Sequence, residues 1–413
     1  SREIGLAAHP RAQVRIAPAA GAYVGGDIVS GLEVLGYFEY PENALFIDIG
    51  TNGEMALSTG GRLIACATPA GPSFEGGGLT FGTRGAAGAI ERIRIDPESG
   101  AADVEVIGRA RPYGICGSAY VDFLAEGLKS GVIDRKGRLA MTPGPSRGRA
   151  PVREERVDGK LLRAYCVVPR RRTDDRTRDI VITEGDIAAL LQAKAAIFAG
   201  AVTLVEHAGL RLSDLQVLHL GGGFAGHLNL ENAIWTGLIP ELPLDRIRVV
   251  GNSALAGAVL LLCDRHAWRR LRAGAANIEV VELNHLASFE QNFVNALFLP
   301  NLDDALFPKT TEALARLGRG RLRPERSRGR SARALRRPAA GGGPAEDSRT
   351  EGYEDRDGRA EDGRAGSSLE GGDGAESAGT GDGEAADGKR ACGEAGDRGA
   401  EDGSTGRDGV GGV

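Results

Sequence analysis

Three glycine-containing turns hold the residues best placed to do chemistry. The first is "DIGTNGE", where the apolar run "ALFIDIG" (44–50) ends in Asp48, Gly50, Thr51, Asn52 and Gly53. Glycines in a tight turn let backbone N–H groups come close to a phosphate, and Thr51 and Asn52 add side-chain donors. Asp48, at the strand end, could hold Mg2+ through water or orient an attacking water. An ordinary Gly/Asn hairpin turn with a solvated Asp would use the same residues. The second is "LHLGGGF" (218–224), a strand running into Gly221, Gly222 and Gly223 before Phe224. There a flat ligand such as adenine with its ribose could lie on bare backbone, and a plain strand-to-helix turn is the alternative. The third is "GNSALAGA" (251–258), whose small residues suit close helix–helix packing.

The surrounding sequence predicts elements that would position these turns. "AAGAYVGGDIVSGLEVLG" (19–36) has helical length and a Gly/Ala surface, and "EMALSTGGRLIACAT" (54–68) reads as two strands about a Gly-Gly turn. With 44–50 they form a hairpin whose turn carries Asp48. A helix is expected to start near 71–77, strands 90–97 and 102–108 to pair, and 117–134 to be helical. Residues 137–180 read as charged loop with one strand at 161–168. Thr183 caps a long helix over 184–209, strands follow at 215–220 and 246–251, and 252–262 is a small-residue helix. Strands alternating with helices and hairpins indicate an α/β fold with a mixed sheet.

Composition restricts the remainder. Beyond Arg319 the chain holds one aromatic residue, Tyr353, and is dominated by Arg, Gly, Ala, Asp, Glu and Ser. Such a segment cannot bury enough apolar surface to offset its ordering entropy, so 319–413 is expected to be a disordered, solvated tail. Its Arg-rich start (Arg319–Arg337) is not assigned to nucleic acid. No uninterrupted apolar stretch of about 18 residues appears, so a soluble, cytoplasmic protein with no membrane partner is expected. The five cysteines, Cys66, Cys116, Cys166, Cys263 and Cys392, stand singly with no C-x-x-C spacing, which builds neither a zinc site nor an iron–sulfur cluster.

Order ties the turns together. A small-residue helix, a D-x-G-T hairpin, a strand with a Gly-Gly turn and a second small-residue helix resemble the second lobe of the actin/Hsp70/sugar-kinase (ASKHA) superfamily, a ribonuclease H-like fold. Within it, "FIDIGTNGE", "CATPAGPSFEGG", "GTRGAAGAIERI", "GICGSAYVDFLAEGLKSGVID", "TEGDIAALLQAKAAI", "LGGGFAGHLNLENAIWTGLIP", "VGNSALAGA" and "VELNHLASFEQNFVNALFLP" resemble the C-terminal ATPase region of the corrinoid protein reductive activators, from about residue 14 to residue 307. The resemblance implies ATP with Mg2+ as ligands, with Asp48 catalytic and Mg2+-holding through water. It places nucleotide on Gly50, Thr51, Asn52 and Gly53 and on Gly221, Gly222, Gly223 and Phe224. It further implies ATP-dependent reduction of cob(II)alamin to cob(I)alamin on a corrinoid protein that serves methyltransferases, the electron coming from a ferredoxin-like [2Fe–2S] domain.

That domain's cysteines and the first lobe's phosphate hairpin have no counterpart in this sequence, and the chain opens at Ser1 without Met. The expected organisation is therefore the end of a first lobe with its connecting helix (1–39), the second ASKHA lobe (40–318) and the tail (319–413). Such a piece should be iron-free and should bind nucleotide weakly. Two other functions fit the same loops: a small-molecule kinase of the superfamily, or a non-catalytic module that docks a corrinoid protein or forms a homodimer. Glu75 reads either as a second carboxylate facing the cleft or as a helix N-terminal residue. His219, His227, Cys66 and Cys116 read as core or loop residues. Asp186 and Lys194 share a helix face and are expected to be structural, with a ribose or inter-lobe contact as the functional option.

Overall fold

Leu45, Ile47 and Ile49 alternate with Ala44 and Phe46, so strand β1 (Ala44–Ile49) is apolar on both faces. That pattern belongs at the centre of a sheet covered on both sides. In the computed structural model, which describes residues 9, 13–140, 152–157 and 159–319, β1 forms a meander with β2 (Gly53–Thr59) and β3 (Arg62–Thr68). A side sheet follows from β4 (Ala89–Ile95), β5 (Ala102–Val106) and β6 (Gly114–Ile115), and another from β7 (Val152–Val157), β8 (Lys160–Val168) and β9 (Ile180–Thr183). Strands β10 (Val217–Gly221), β11 (Ile247–Gly251) and β12 (Ile278–Val280) return to the first sheet, whose order is β11-β10-β1-β2-β3-β12. Only β2 runs against the others, so β1, β3, β10 and β11 all end at one edge.

Helices cover both faces. On one lies α1 (Gly26–Val34), with Val24, Ile28 and Leu32 packed on Ala44, Phe46, Ala56 and Val217. After α2 (Gly117–Ser130), α3 (Glu184–His207) crosses the other face, burying Ile197 and Ala201 with Leu45, Ile47 and Met55. Thr183 starts α3 with a capping box: its hydroxyl accepts the Asp186 N–H while the Asp186 carboxylate takes the Thr183 N–H. Among the described residues α3 alone is long and apolar enough to cross a membrane, but 83% of its most apolar stretch is buried inside the fold. Helices α4 (Leu230–Thr236), α5 (Ser253–Cys263), α6 (Ala267–Ala275), α7 (Ala287–Ala296) and α8 (Pro308–Arg316) complete the lobe.

Several expectations change in detail. The helix expected near 71–77 is one 3-10 turn, Pro72–Glu75, because Gly76 (φ 83°) takes a left-handed conformation that ends it. The helix expected over 19–36 is shortened to Gly26–Val34. The strand expected at 161–168 is β8, but the loop-rich reading of the region missed its hairpin partner β7 and the following β9, since a charged surface hairpin buries little on one side. The tail expected over 319–413 lies, apart from Arg319, outside the described residues, as does Cys392.

Glycine sets the approach of α1 to α5. A Cβ at Gly257 would lie 2.3 Å from the Ser30 carbonyl oxygen, and one at Gly31 would lie 2.7 Å from Ser253 Oγ. A Gly257→Val substitution must therefore drive the helices apart and should lower the unfolding free energy by about 2–3 kcal/mol. Gly226→Ala, with open space around it, should change it by less than about 0.5 kcal/mol. Urea denaturation of both variants checks this; equal stabilities would show that the crossing is not tight.

Candidate functional site

The parallel register of β1 with β10 pairs Asp48 with Gly221, and the antiparallel register with β2 pairs Asp48 with Glu54. Gly221 also pairs with Gly251 at the end of β11, and the Gly222 N–H donates to the Gly251 carbonyl at 3.0 Å. The three glycine turns singled out in the sequence therefore sit side by side along the carboxyl edge of one sheet. Open α/β sheets bind ligands at that edge.

The Asp48 carboxylate lies against bare backbone. A Cβ at Gly222 (φ 90°) would be 2.8 Å from Asp48 Oδ1 and 2.8 Å from the Ile49 carbonyl oxygen, and one at Gly221 would be 3.2 Å from Asp48 Oδ2. No hydrogen bond or ion pair to Asp48 is present among the described residues, and burial, then the neighbouring Asp27, push its carboxyl up to about 6. Glu54 is raised in turn, mainly by burial and with Asp48 and Asp27 adding to it, while a hydrogen bond to Asn52 acts in the opposite direction. Asp27 stands in the first turn of α1, where its Oδ1 accepts the Ile28 N–H at 2.9 Å. Asp48 and Glu54 share one side of the sheet and Asp27 adds to their field, but the three do not form a group able to hold a metal ion. Mg2+ would find a single carboxylate at Asp48, a hard oxygen donor that could hold it through water.

The other expected site residues divide by role. The Thr51 carbonyl accepts the Gly71 N–H at 2.8 Å, and its hydroxyl donates to Glu75 Oε1 at 2.8 Å. Asn52 closes the turn by accepting the Gly50 N–H at 3.0 Å. Gly53 is set by packing instead: a Cβ there would meet Thr68 Oγ1 at 2.8 Å and Ile197 at 3.1 Å. Gly223 is exposed with open space at its Cα. Phe224 turns inward and stacks on Phe74 with ring centroids 5.2 Å apart, so this turn offers a ligand main chain more than an aromatic face. Glu75 borders a cleft of about 340 Å3 lined also by Gly76, Gly77, Thr83 and Arg84, beside the hairpin.

Asp27 and Glu54 were not singled out in the sequence, although "GGDI" and "TNGE" put them next to glycine turns; the strand register brings Glu54 opposite Asp48, and the start of α1 brings Asp27 close enough to act on its charge. His219 is a core residue: its Nδ1 and the Tyr37 hydroxyl are hydrogen-bonded at 2.8 Å, and burial holds its pKa low. His227 is exposed beyond the Gly-Gly turn. Lys194 and Asp186 have structural partners in place of a ribose. Lys194 Nζ donates to the carbonyls of Ala296, Phe298 and Pro300, and Asp186 Oδ1 accepts from the Thr80 N–H (2.8 Å) and hydroxyl (3.0 Å). Burial pushes the Cys66 thiol up to about 12 and that of Cys116 upward, so neither is a ready thiolate. Among the described residues no three His, Cys, Asp or Glu side chains are grouped so that they could hold a metal ion.

A mixed sheet with a hairpin at its centre, glycine turns along its carboxyl edge and small-residue helices crossing behind it defines an α/β domain of the ASKHA type. Residues 42–311 match the family described as the C-terminal domain of RACo, the ASKHA domain, and the chain belongs to that family. It is 34% identical over 264 residues to the corrinoid activation enzyme RamQ of Eubacterium limosum, covering 63% of this chain and 43% of that protein. It is 25% identical over 278 residues to the [Co(II) methylated amine-specific corrinoid protein] reductase of Methanosarcina barkeri, covering 61% and 45%. A solved structure of a reductive activator for corrinoid, iron-sulfur protein superposes with a TM-score of 0.64 at 39% identity, over 70% of this chain and 45% of that one. The chain therefore spans less than half the length of these relatives.

The carboxylate cluster has a signature in stability. The Asp48 carboxyl is pushed up to about 6 in the fold, against about 3.8 for a free aspartate. The folded state thus holds the proton more tightly, and stability falls as pH rises through that window. Asp48→Asn should stabilise the metal-free protein by about 2 kcal/mol at pH 7.5, after discounting for partial solvent screening, and by almost nothing at pH 3.5. Denaturation across pH checks this; a gain independent of pH would show that Asp48 is not held in an uncompensated field.

Proposed function

We propose that this chain is the nucleotide-handling part of an activator that returns corrinoid proteins to their reduced, methyl-accepting state. The observation that carries the reading is the Asp48–Gly221 register, which sets an unpaired carboxylate between two glycine turns and beside two more carboxylates. The relatives' names, corrinoid activation enzyme and corrinoid protein reductase, supply the target.

In this reading the backbone of Gly50–Gly53 receives the phosphates of ATP, and the turn 221–224 supports adenosine on its main chain. Binding and hydrolysis of ATP would supply the free energy for an uphill one-electron reduction of cob(II)alamin to cob(I)alamin. Asp48 would hold Mg2+ through its waters, and Glu54 and Asp27 would add to the negative field that retains it. Thr51 can donate its hydroxyl proton to a phosphate oxygen only by releasing Glu75, to which it donates now. Gly221 and Gly222 leave the space that the Asp48 carboxylate and a ligand must share. The electron comes from a [2Fe–2S] donor outside the described residues.

A docking role has one observation of its own. Helix α5 exposes Leu255 at 61% and Leu262 at 87%, an apolar face toward solvent on the side opposite its contact with α1. It is compatible with nucleotide binding and does not replace it.

Calorimetric titration tests the reading. ATP should bind only weakly without Mg2+ and at least tenfold more tightly with it, a gain of about 1.4 kcal/mol or more. Asp48→Ala should remove the Mg2+ dependence and any hydrolysis, and Gly222→Val should remove binding altogether. Magnesium-independent binding unaffected by both substitutions would sink the assignment.

A further inference from the structure

Among the described residues only two non-glycine residues have left-handed backbone, Arg109 (φ 54°) and Arg176 (φ 55°). Both are exposed arginines, one in each of two loops, 107–113 and 170–178. Such a backbone is unfavourable for a residue with a Cβ and clusters at functional surfaces. The loops are tied to each other: the Asp174 N–H donates to the Pro112 carbonyl at 2.9 Å, and Arg111 Nη1 reaches the carbonyls of Arg171 and Thr173 at 3.5 and 3.4 Å. They are also tied to the proposed nucleotide site. The Arg178 guanidinium lies 5.0 Å from the centre of the Phe81 ring, and Phe81 leads into Gly82, Thr83 and Arg84, which line the cleft beside Glu75.

The surface formed this way is strongly cationic. Arg84, Arg109, Arg170, Arg171, Arg172 and Arg176 are exposed, and none has a carboxylate within ion-pair distance among the described residues. Of the two acids in the loops, Asp175 is engaged internally, accepting the Thr177 N–H at 3.0 Å and hydroxyl at 2.8 Å. Tyr113, 43% exposed, stands among them. Neither loop contains a lysine. Arginine and tyrosine together are the side chains that carry binding energy at protein interfaces, and a guanidinium pairs with a carboxylate in bidentate geometry.

We propose that this arginine platform docks an acidic surface of a protein partner and holds that partner beside the nucleotide cleft. That the partner is a corrinoid protein rests on the function proposed above; the acidity of the surface it presents rests on the platform alone. Residues 1–319 hold 35 Lys and Arg against 36 Asp and Glu, so the fold has no overall excess of positive charge along which a long polyanion could run, and the arginines form a local platform suited to a compact acidic patch.

The test uses the full chain and fluorescence anisotropy with a short oligoglutamate peptide as probe, beside single-stranded DNA of equal length. The peptide should bind more tightly than the DNA and weaken as salt rises. Replacing Arg109, Arg171 and Arg172 together by Glu should weaken peptide binding by roughly tenfold or more, and replacing them by Gln should weaken it less. Arg269→Glu, on α6, should leave it unchanged. A thermal melt of each variant separates loss of binding from loss of fold. The proposal is overturned if the peptide does not bind, if DNA binds more tightly, or if a folded triple Glu variant binds as the wild type does. A parallel ATP titration keeps the two readings apart: lost peptide binding with nucleotide binding intact overturns the platform alone, and the reverse overturns only the nucleotide assignment.

Discussion

The arrangement depends on a steric constraint between two neighbouring strands. Asp48 ends β1 opposite Gly221, and its carboxylate occupies space that a side chain on Gly221 or Gly222 would claim. Because β1 and β10 are parallel, their following turns leave the sheet together, and the hydrogen bond from Gly222 to Gly251 draws in the start of α5. Shifting the register by one residue would turn Asp48 toward the α3 face, among Leu45, Ile47 and Ile49, where nothing could solvate it. Apolar alternation along β1 therefore protects the register, and the register makes the carboxylate cluster.

That cluster stores an electrostatic cost. Asp27, Asp48 and Glu54 share one side of the sheet with no basic side chain opposing Asp48 among the described residues. Folding holds like charges together that an extended chain would let separate. Marginal destabilisation at a binding site is common where a ligand supplies the missing charge.

Much of this was legible in the residues. Glycine, Asp and Thr at a strand end are few enough in type to mark a turn, and small residues marked α1 and α5 because close approach leaves no alternative. The second half of the acidic cluster was not legible, since Asp27 and Glu54 acquire meaning only from cross-strand pairing and from where α1 begins. The same limit explains Lys194. Its eight-residue spacing from Asp186 fixed a shared helix face, but only tertiary packing shows that the face meets the carbonyls of Ala296, Phe298 and Pro300 and not a ligand. Strand β8 was legible from its apolar run, whereas its partner β7 escaped because "VREERV" reads as charged loop.

Helix α3 links places that are far apart. At its start Asp186 grips Thr80, in the glycine loop that lines the cleft; at its end His207 meets Glu279 on β12 at 3.0 Å, while Asn292 of α7 donates to Thr203 and Glu206. A helix of 24 residues is a rod roughly 36 Å long, and the Thr183 capping box keeps its first turn from fraying. Tilting such a rod by about 5° swings its far end by about 3 Å. The fold thus contains a stiff lever with one end in the cleft loop and the other on the opposite margin of the sheet.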